Sequence, residues 1–290
     1  MSKERFDKAY QHERRFLKNF LRCCVKWNGL PDTIFEPYLN DEVLFHGYVT
    51  GFKYEGDVVV SRGAISGIDM YERPVWFVSA NHAITQPQRR RIGYAAAVCY
   101  NTPNTRFPED FNRLVDIYAK RLADILVSEE VSLRNSRQSY VPIVKDEKEA
   151  IRMERLMNEI YDGEPTAIGF KIPIGKSVND CFLPMKAREN LIVDLLSDAR
   201  RNVLADFYSE LGIKSIAVDK KERTNLAEMS SNNQQLKVTS DILIKPRQAW
   251  CDEMNKLFGT NISVEMNDEE VLSYGIMEDN TASRAKSGNN

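Results

Sequence analysis

Apolar residues recur at spacings of three and four near the start of the chain, at Phe6, Tyr10, Leu17, Phe20, Leu21 and Cys24. That rhythm predicts an amphipathic helix over residues 3–27. Asn28-Gly29-Leu30-Pro31 stops it, with glycine as cap and proline just beyond. Over residues 43–80 the period changes. V-L-F-H-G-Y-V, D-V-V-V, G-A-I-S-G and P-V-W-F-V are short β-branched or aromatic runs divided by Gly, Asp and Pro. They predict several short strands, folded as a small barrel or sheet. Residues 81–107 read as loop-rich and carry Arg89-Arg90-Arg91.

Pro108, Glu109 and Asp110 predict a helix start. The stripe Phe111, Leu114, Val115, Tyr118, Leu122, Ile125 and Leu126 carries that helix to residue 130. Residues 131–183 read as a small mixed module with a short helix near 147–161. A second long helix is predicted from Pro184 to Leu211, capped by Gly212, with an apolar face running from Leu191 to Leu211. Its 28 residues would span about 42 Å at about 1.5 Å per residue, a strut in a chain of this size. Residues 212–241 then read mainly as a long polar loop, which in a compact chain is functional or disordered. L-K-V-T-S-D-I-L-I regains strand character at 236–244. A helix is expected to begin at Pro246 and end at Gly259, followed by a last strand, N-I-S-V-E-M. The polar residues 267–290 read as a disordered tail.

Composition narrows the function classes. The chain has 290 residues, of which 42% are hydrophobic and 28% charged, and a net charge of −2. Any contact with nucleic acid must therefore rest on local charge. One such place is helix 3–27, where Lys3, Arg5, Lys8, Arg14, Arg15, Lys18, Arg22 and Lys26 outnumber Glu4, Asp7 and Glu13. The five cysteines are scattered, with no C-x-x-C, and read as reduced thiols of a cytoplasmic protein. The N-terminus lacks an apolar signal core, and no apolar run is long enough to span a membrane. His12, His46 and His82 have no ligand-like spacing, so no metal or other cofactor is expected. Gly63-Ala64-Ile65-Ser66-Gly67 places its serine one position late for a nucleophile elbow. Gly169-Phe170-Lys171-Ile172-Pro173-Ile174-Gly175-Lys176-Ser177 has five residues between its glycines where a P-loop needs four, and no helix opens at Lys176-Ser177.

Six segments in register carry a resemblance: W-N-G-L-P-D-T-I at 27–34, F-H-G-Y-V at 45–49, L-G-I-K at 211–214, D-K-K-E-R at 219–223, S-S-N-N at 230–233, and I-K-P-R with L-F-G-T-N-I-S-V at 244–264. Together they resemble the upper collar, portal or head–tail connector protein of small protein-primed podoviruses. The resemblance covers nearly the whole chain and is strongest from about 187 to 266. It implies an α+β subunit with a long-helix stem and a small SH3-like β-barrel in a wing, assembled as a ring of twelve. Double-stranded DNA would pass through that ring during packaging, be held there, and leave on infection. On this plan residues 1–42 are an N-terminal helix and linker, 43–107 the wing with its barrel, and 108–130 and 184–211 the stem helices. The clip is 131–183, the channel loop 212–241, and the crown and wing end 242–266.

The resemblance also implies site residues. Lys220 and Lys221 fall on the paired channel lysines, with Arg223 beside them, and Lys186 falls on a channel lysine at the narrow end. A third channel lysine falls on Leu195, so that ring of charge is missing or is supplied by Arg188, Arg200 or Arg201. Lys214, Ser230, Ser231, Asn232 and Asn233 complete the expected channel loop. Implied partners are other copies of the chain, genomic duplex DNA, a packaging ATPase, a lower collar or tail protein, and the major capsid protein or scaffold. The N-terminal S-K-E-R-F-D-K lacks the basic run with which a relative binds a packaging RNA. The expected role is structural and not enzymatic. A phage DNA-processing NTPase or nuclease is the alternative, and the mis-spaced P-loop argues against it.

Overall fold

The computed structural model describes residues 3–81, 83–84, 88–136, 140–142, 146–148, 150–151, 153–155, 182–184, 189–213 and 226–267. The chain forms two compact units, one of residues 1–10 and 120–203, the other of residues 11–119 and 204–290. Helices α1 (Lys3–Cys23), α3 (Asn112–Ser136) and α4 (Glu189–Glu210) each contribute residues to both.

In the first unit the start of α1 meets α3 through an apolar cluster. Ala9, Ala123 and Val127 are buried, with Phe6, Tyr10 and Leu126 packed around them. The small residues Ala9 and Ala123 let the two backbones come close. Two short strands, β8 (Tyr140–Pro142) and β9 (Phe182–Pro184), pair antiparallel with Val141 opposite Leu183. Pro184 therefore closes a strand, and the second long helix begins at Glu189 instead of at the proline. The first long helix likewise starts at Asn112 rather than at 108 and runs on to Ser136. Helical residues at 147–148, 150–151 and 153–155 match the short helix expected near 147–161.

The second unit holds two three-stranded sheets. One has the order β3–β2–β7 and the other β4–β5–β6, from β2 (Tyr48–Tyr54), β3 (Asp57–Ser61), β4 (Gly63–Ile68), β5 (Pro74–Ser79), β6 (Arg89–Arg91) and β7 (Ala96–Tyr100). The β2–β3 hairpin turns through Glu55 and Gly56, both at positive φ (51° and 99°), the geometry that matches strand twist in a two-residue loop. β3 and β4 are separated only by Arg62, so one nearly continuous run of chain leaves the first sheet and joins the second. The Arg62 carbonyl accepts from Ala80 N–H at 3.0 Å, and the Ser61 and Ser79 hydroxyls meet at 2.9 Å. Between the sheets Phe52, Phe77, Ile84 and Ala96 are buried, with the Phe52 and Phe77 rings 5.5 Å apart. The small barrel or sheet expected over 43–80 takes the form of these two packed sheets. Among the described residues the two sheets share a core and a corner but no closing ladder, and they need β6 and β7 from beyond residue 80.

Three elements depart further from the pattern-based reading. Residues 36–46 form a helix, α2 (Glu36–His46), capped by Gly47 at φ 86°. Leu39, Asn40, Glu42, Val43, Leu44 and Phe45 of α2 are all buried, so it has no polar stripe to show a helical period. The first helix also stops four residues early, and β1 (Val25–Asn28) pairs with β10 (Ser263–Met266), Trp27 opposite Val264. At the C-terminal side α5 runs unbroken from Leu226 to Phe258, with Pro246 inside it. The strand expected at 236–244 is therefore helical, and the expected loop of 212–241 is helical from residue 226 onward. Proline removes the N–H that would bond the Ile242 carbonyl. Ile242 is exposed, so water can satisfy that oxygen.

The C-terminal half of α5 lies on the β3–β2–β7 sheet and on β10. Trp250 meets Trp27 edge-on at 5.5 Å, and its indole N–H donates to the Ala97 carbonyl at 3.2 Å. Gly51 makes that packing possible: a Cβ there would sit 2.4 Å from the Met254 sulfur.

Candidate nucleic-acid interface

The described cations of the expected channel lie on α4 (Glu189–Glu210), where positive charge is sparse. Five carboxylates, Glu189, Asp194, Asp198, Asp206 and Glu210, share the helix with two cations, Arg200 and Arg201. Arg201 is half exposed and pairs with Asp198 one turn earlier at 3.4 Å. Arg200 is partly buried. The apolar positions of the same helix are not all covered. Leu195 is 60% exposed and Ile192 39% exposed, one turn apart on α4, and Val131 and Leu133 are exposed on α3. Leu195, where the resemblance expects a channel lysine or its substitute, is an uncovered apolar side chain.

Lys220, Lys221, Arg223, Lys186, Arg188 and Lys214 lie outside the described residues. Ser230, Ser231, Asn232 and Asn233 lie on α5, so they belong to a helix and not to a loop. Residues 214–225 of the expected channel loop lie outside the described residues.

The basic face of α1 is partly committed inside the fold. Arg14 Nε donates to Asp116 Oδ1 at 2.8 Å, and Arg22 grips Asp41 with two bonds of 2.6 and 3.2 Å. Lys18 donates to Asn112 Oδ1 and stands 4.3 Å over the Phe45 ring. Burial, then the neighbouring Arg14 and Arg22, lower the Lys18 pKa. These cations fasten α1 to α2 and to the start of α3. An aromatic cluster continues the contact, with Phe20 stacked 4.6 Å from Tyr208 and Phe207 edge-on to Tyr118 at 5.2 Å. The Tyr118 hydroxyl donates to Glu210 at 2.7 Å, tying α3 to the end of α4.

The residue that sequence reading missed most completely is Arg247. It is only 1% exposed and has no carboxylate partner among the described residues. Its guanidinium donates to Asn101 Oδ1 at 2.8 Å, to the Asn101 carbonyl at 3.2 Å and back to the Leu243 carbonyl at 2.5 Å. Burial lowers its pKa. Asn101 carries the connection onward: its N–H donates to Gly47 O, and its side-chain amide to Glu109 O at 3.1 Å. Phe111 N–H donates to Leu44 O, and Asn112 Nδ2 to Phe45 O at 2.8 Å. One buried cation on α5 thus fixes the loop after β7, the end of α2 and the first turn of α3. Cys24, Cys99 and Cys251 are buried free thiols nearby; burial pushes Cys99 and Cys251 up to about 12, which leaves them unreactive. No described helix is long and apolar enough to cross a membrane.

Long helices flanking a small two-stranded module, with a two-sheet unit and a C-terminal helix locked by a buried arginine, define a portal-type fold. A solved chain from the portal and tail of native bacteriophage P68 matches it with a TM-score of 0.51 at 19% identity, covering 100% of this chain and 98% of that one. The protein belongs to the Phage Connector (GP10) family, which matches residues 1–271. The portal protein of Staphylococcus phage 44AHJD is 25% identical over 168 residues, which cover 57% of this chain and 64% of that protein. The aligned stretch therefore spans less than two thirds of that relative.

Proposed function

We propose that this protein is the portal of a phage head, a ring of subunits through which double-stranded DNA is packaged, retained and ejected, and to which the tail attaches. Family membership over residues 1–271 carries the reading. The exposed Leu195, Ile192 and Val131 support it, because apolar side chains left bare on long helices call for a neighbouring surface. Repeated head-to-tail contacts of one such subunit close into a ring when the rotation permits, and a ring of twelve is the expected number. A packaging ATPase, a lower collar or tail protein and the capsid or scaffold are the proposed further partners.

The electrostatics suit a conduit. Affinity for duplex DNA rises steeply with the number of phosphates neutralised, so a channel dense in Lys and Arg would hold DNA in place. An α4 with five carboxylates against two arginines does not. A few lysines on the 214–225 segment would then check backward slippage through phosphate contacts that read no sequence. Rings with a central hole in negative-stain images of the purified protein are expected, and a particle of about one subunit's mass would overturn the assignment. Lys220→Ala with Lys221→Ala should leave ring assembly intact and give heads that fill and then lose DNA. Heads that stay full would sink the retention role while leaving the portal assignment standing.

A further inference from the structure

The triple-arginine strand β6 is divided by the pleat into one structural and two free cations. Arg90 points inward, 4.3 Å over the Phe52 ring, with its guanidinium donating to Gln88 O at 3.1 Å. Arg89 and Arg91 point the other way and are exposed. They share the outer face of the β4–β5–β6 sheet with Trp76, Val78, Ala64 and Ser66, as the register places Trp76 opposite Arg91 and Ser66, and Val78 opposite Arg89 and Ala64. None of these outer positions is a carboxylate, in a chain whose net charge is −2. Neither Arg89 nor Arg91 has a carboxylate partner among the described residues, whereas Arg73 and Arg106, at and near the hairpin tip, are paired with Asp69 and Glu72.

Both free arginines are held in place. Arg89 lies 4.3 Å over Trp76 and Arg91 4.5 Å over Tyr94. A guanidinium over a ring can keep N–H donors available, and its fork matches a phosphate in a two-pronged contact. Two residues along a strand separate the Cα atoms of Arg89 and Arg91 by about 6.7 Å, of the order of the separation of successive phosphates on one nucleic-acid strand. An arginine already lies over each ring, which leaves less of the ring for stacking an unpaired base, as single-strand binders do. We propose that the outer face of the β4–β5–β6 sheet is a second DNA-contact surface, on which Arg89 and Arg91 clasp two adjacent phosphates of duplex DNA without reading sequence. The inference rests on these residues alone and not on the channel lysines.

The test is fluorescence anisotropy of the purified full-length oligomer with a labelled duplex of about 30 base pairs, read across a salt series, in wild type and in Lys220→Ala/Lys221→Ala protein. Arg89→Gln with Arg91→Gln should weaken binding about ten-fold in both backgrounds and flatten the slope of log K against log salt by about 1.8, two phosphates at about 0.9 each. Arg89→Lys with Arg91→Lys should restore the slope and part of the affinity, which a merely misfolded glutamine variant would not predict. Unchanged affinity and slope would overturn the proposal. So would a loss seen with single-stranded oligonucleotide but not with duplex, or intact DNA binding combined with failure to join the capsid shell, which would mark the face as a site for an acidic protein.

Discussion

Replacing Arg247 by methionine isolates what the buried guanidinium does. Methionine keeps most of the length and removes the charge and every donor. Two acceptors lose their partner, Asn101 Oδ1 at 2.8 Å and the Asn101 carbonyl at 3.2 Å. The Leu243 carbonyl loses less, because it lies in a helical turn that offers it a backbone donor. Each orphaned buried acceptor costs about 1–3 kcal/mol, so the gross loss is about 2–6 kcal/mol. Against it stands the relief of holding a cation out of water, whose presence is seen in the lowered pKa. Exchanges of buried ionic groups for apolar ones gain about 1–4 kcal/mol when no polar group is stranded. Here two are stranded, so the net expectation is a destabilisation of about 2 kcal/mol. Urea unfolding at fixed protomer concentration, followed by the fluorescence of Trp250 and Trp27, reads it as a lower midpoint at unchanged slope. Asn101→Ala in the Arg247→Met background should cost less than it does in wild type, by about 1–2 kcal/mol of coupling. A methionine variant as stable as wild type, or additive single and double variants, would refute the reasoning.

Glu42 is buried with its Oε2 lacking a hydrogen bond and Arg62 4.0 Å away; burial raises its pKa more than His46 and Arg62 lower it. Stability held by the protonated form is complete below the ordinary glutamate pKa and is lost as pH rises through the raised folded value, so Glu42→Gln should gain on wild type across that window, by on the order of 1 kcal/mol at neutral pH; thermal melts that stay parallel in pH would contradict this. Ile192→Asp with Leu195→Asp places two carboxylates on apolar side chains that are 39% and 60% exposed in the single chain; the subunit should fold normally while rings dissociate to smaller species by size-exclusion chromatography, and intact rings would remove these residues from the contact between subunits.

Long periodic elements were legible and short buried ones were not. The stripes behind α1, α3 and α4 predicted three helices whose ends then moved by up to six residues, because proline and glycine mark where a helix can stop and not where it does. Helix α2 was invisible for a physical reason: its six buried residues include the polar Asn40 and Glu42, so apolar and polar positions do not separate into two faces, and Val43-Leu44-Phe45 reads as a strand. Pro246 misled in the opposite direction. Proline is favoured in a first helical turn, yet here it sits mid-helix because the carbonyl it strands, that of Ile242, is on an exposed residue. The polar residues 226–235 had no stripe to predict a helix and are continuous with one that is anchored further on by Trp250 and Met254.

Charge was the least legible feature, because a sequence displays every arginine alike. Arg89, Arg90 and Arg91 are neighbours in the chain, and only the pleat of β6 decides that the middle one packs on Phe52 while the outer two face solvent. Arg247, in I-K-P-R, reads as one more cation at a helix start and is instead a buried cross-brace. The basic face of α1, the largest excess of positive charge in the sequence, spends Arg14, Lys18 and Arg22 on Asp116, Asn112 and Asp41. The proposed conduit calls for few free cations near the DNA, and Arg14, Lys18 and Arg22 are three that the fold ties up internally. The same sorting leaves Arg89 and Arg91 exposed and without a carboxylate partner among the described residues, which is why the proposed DNA contact is placed on them.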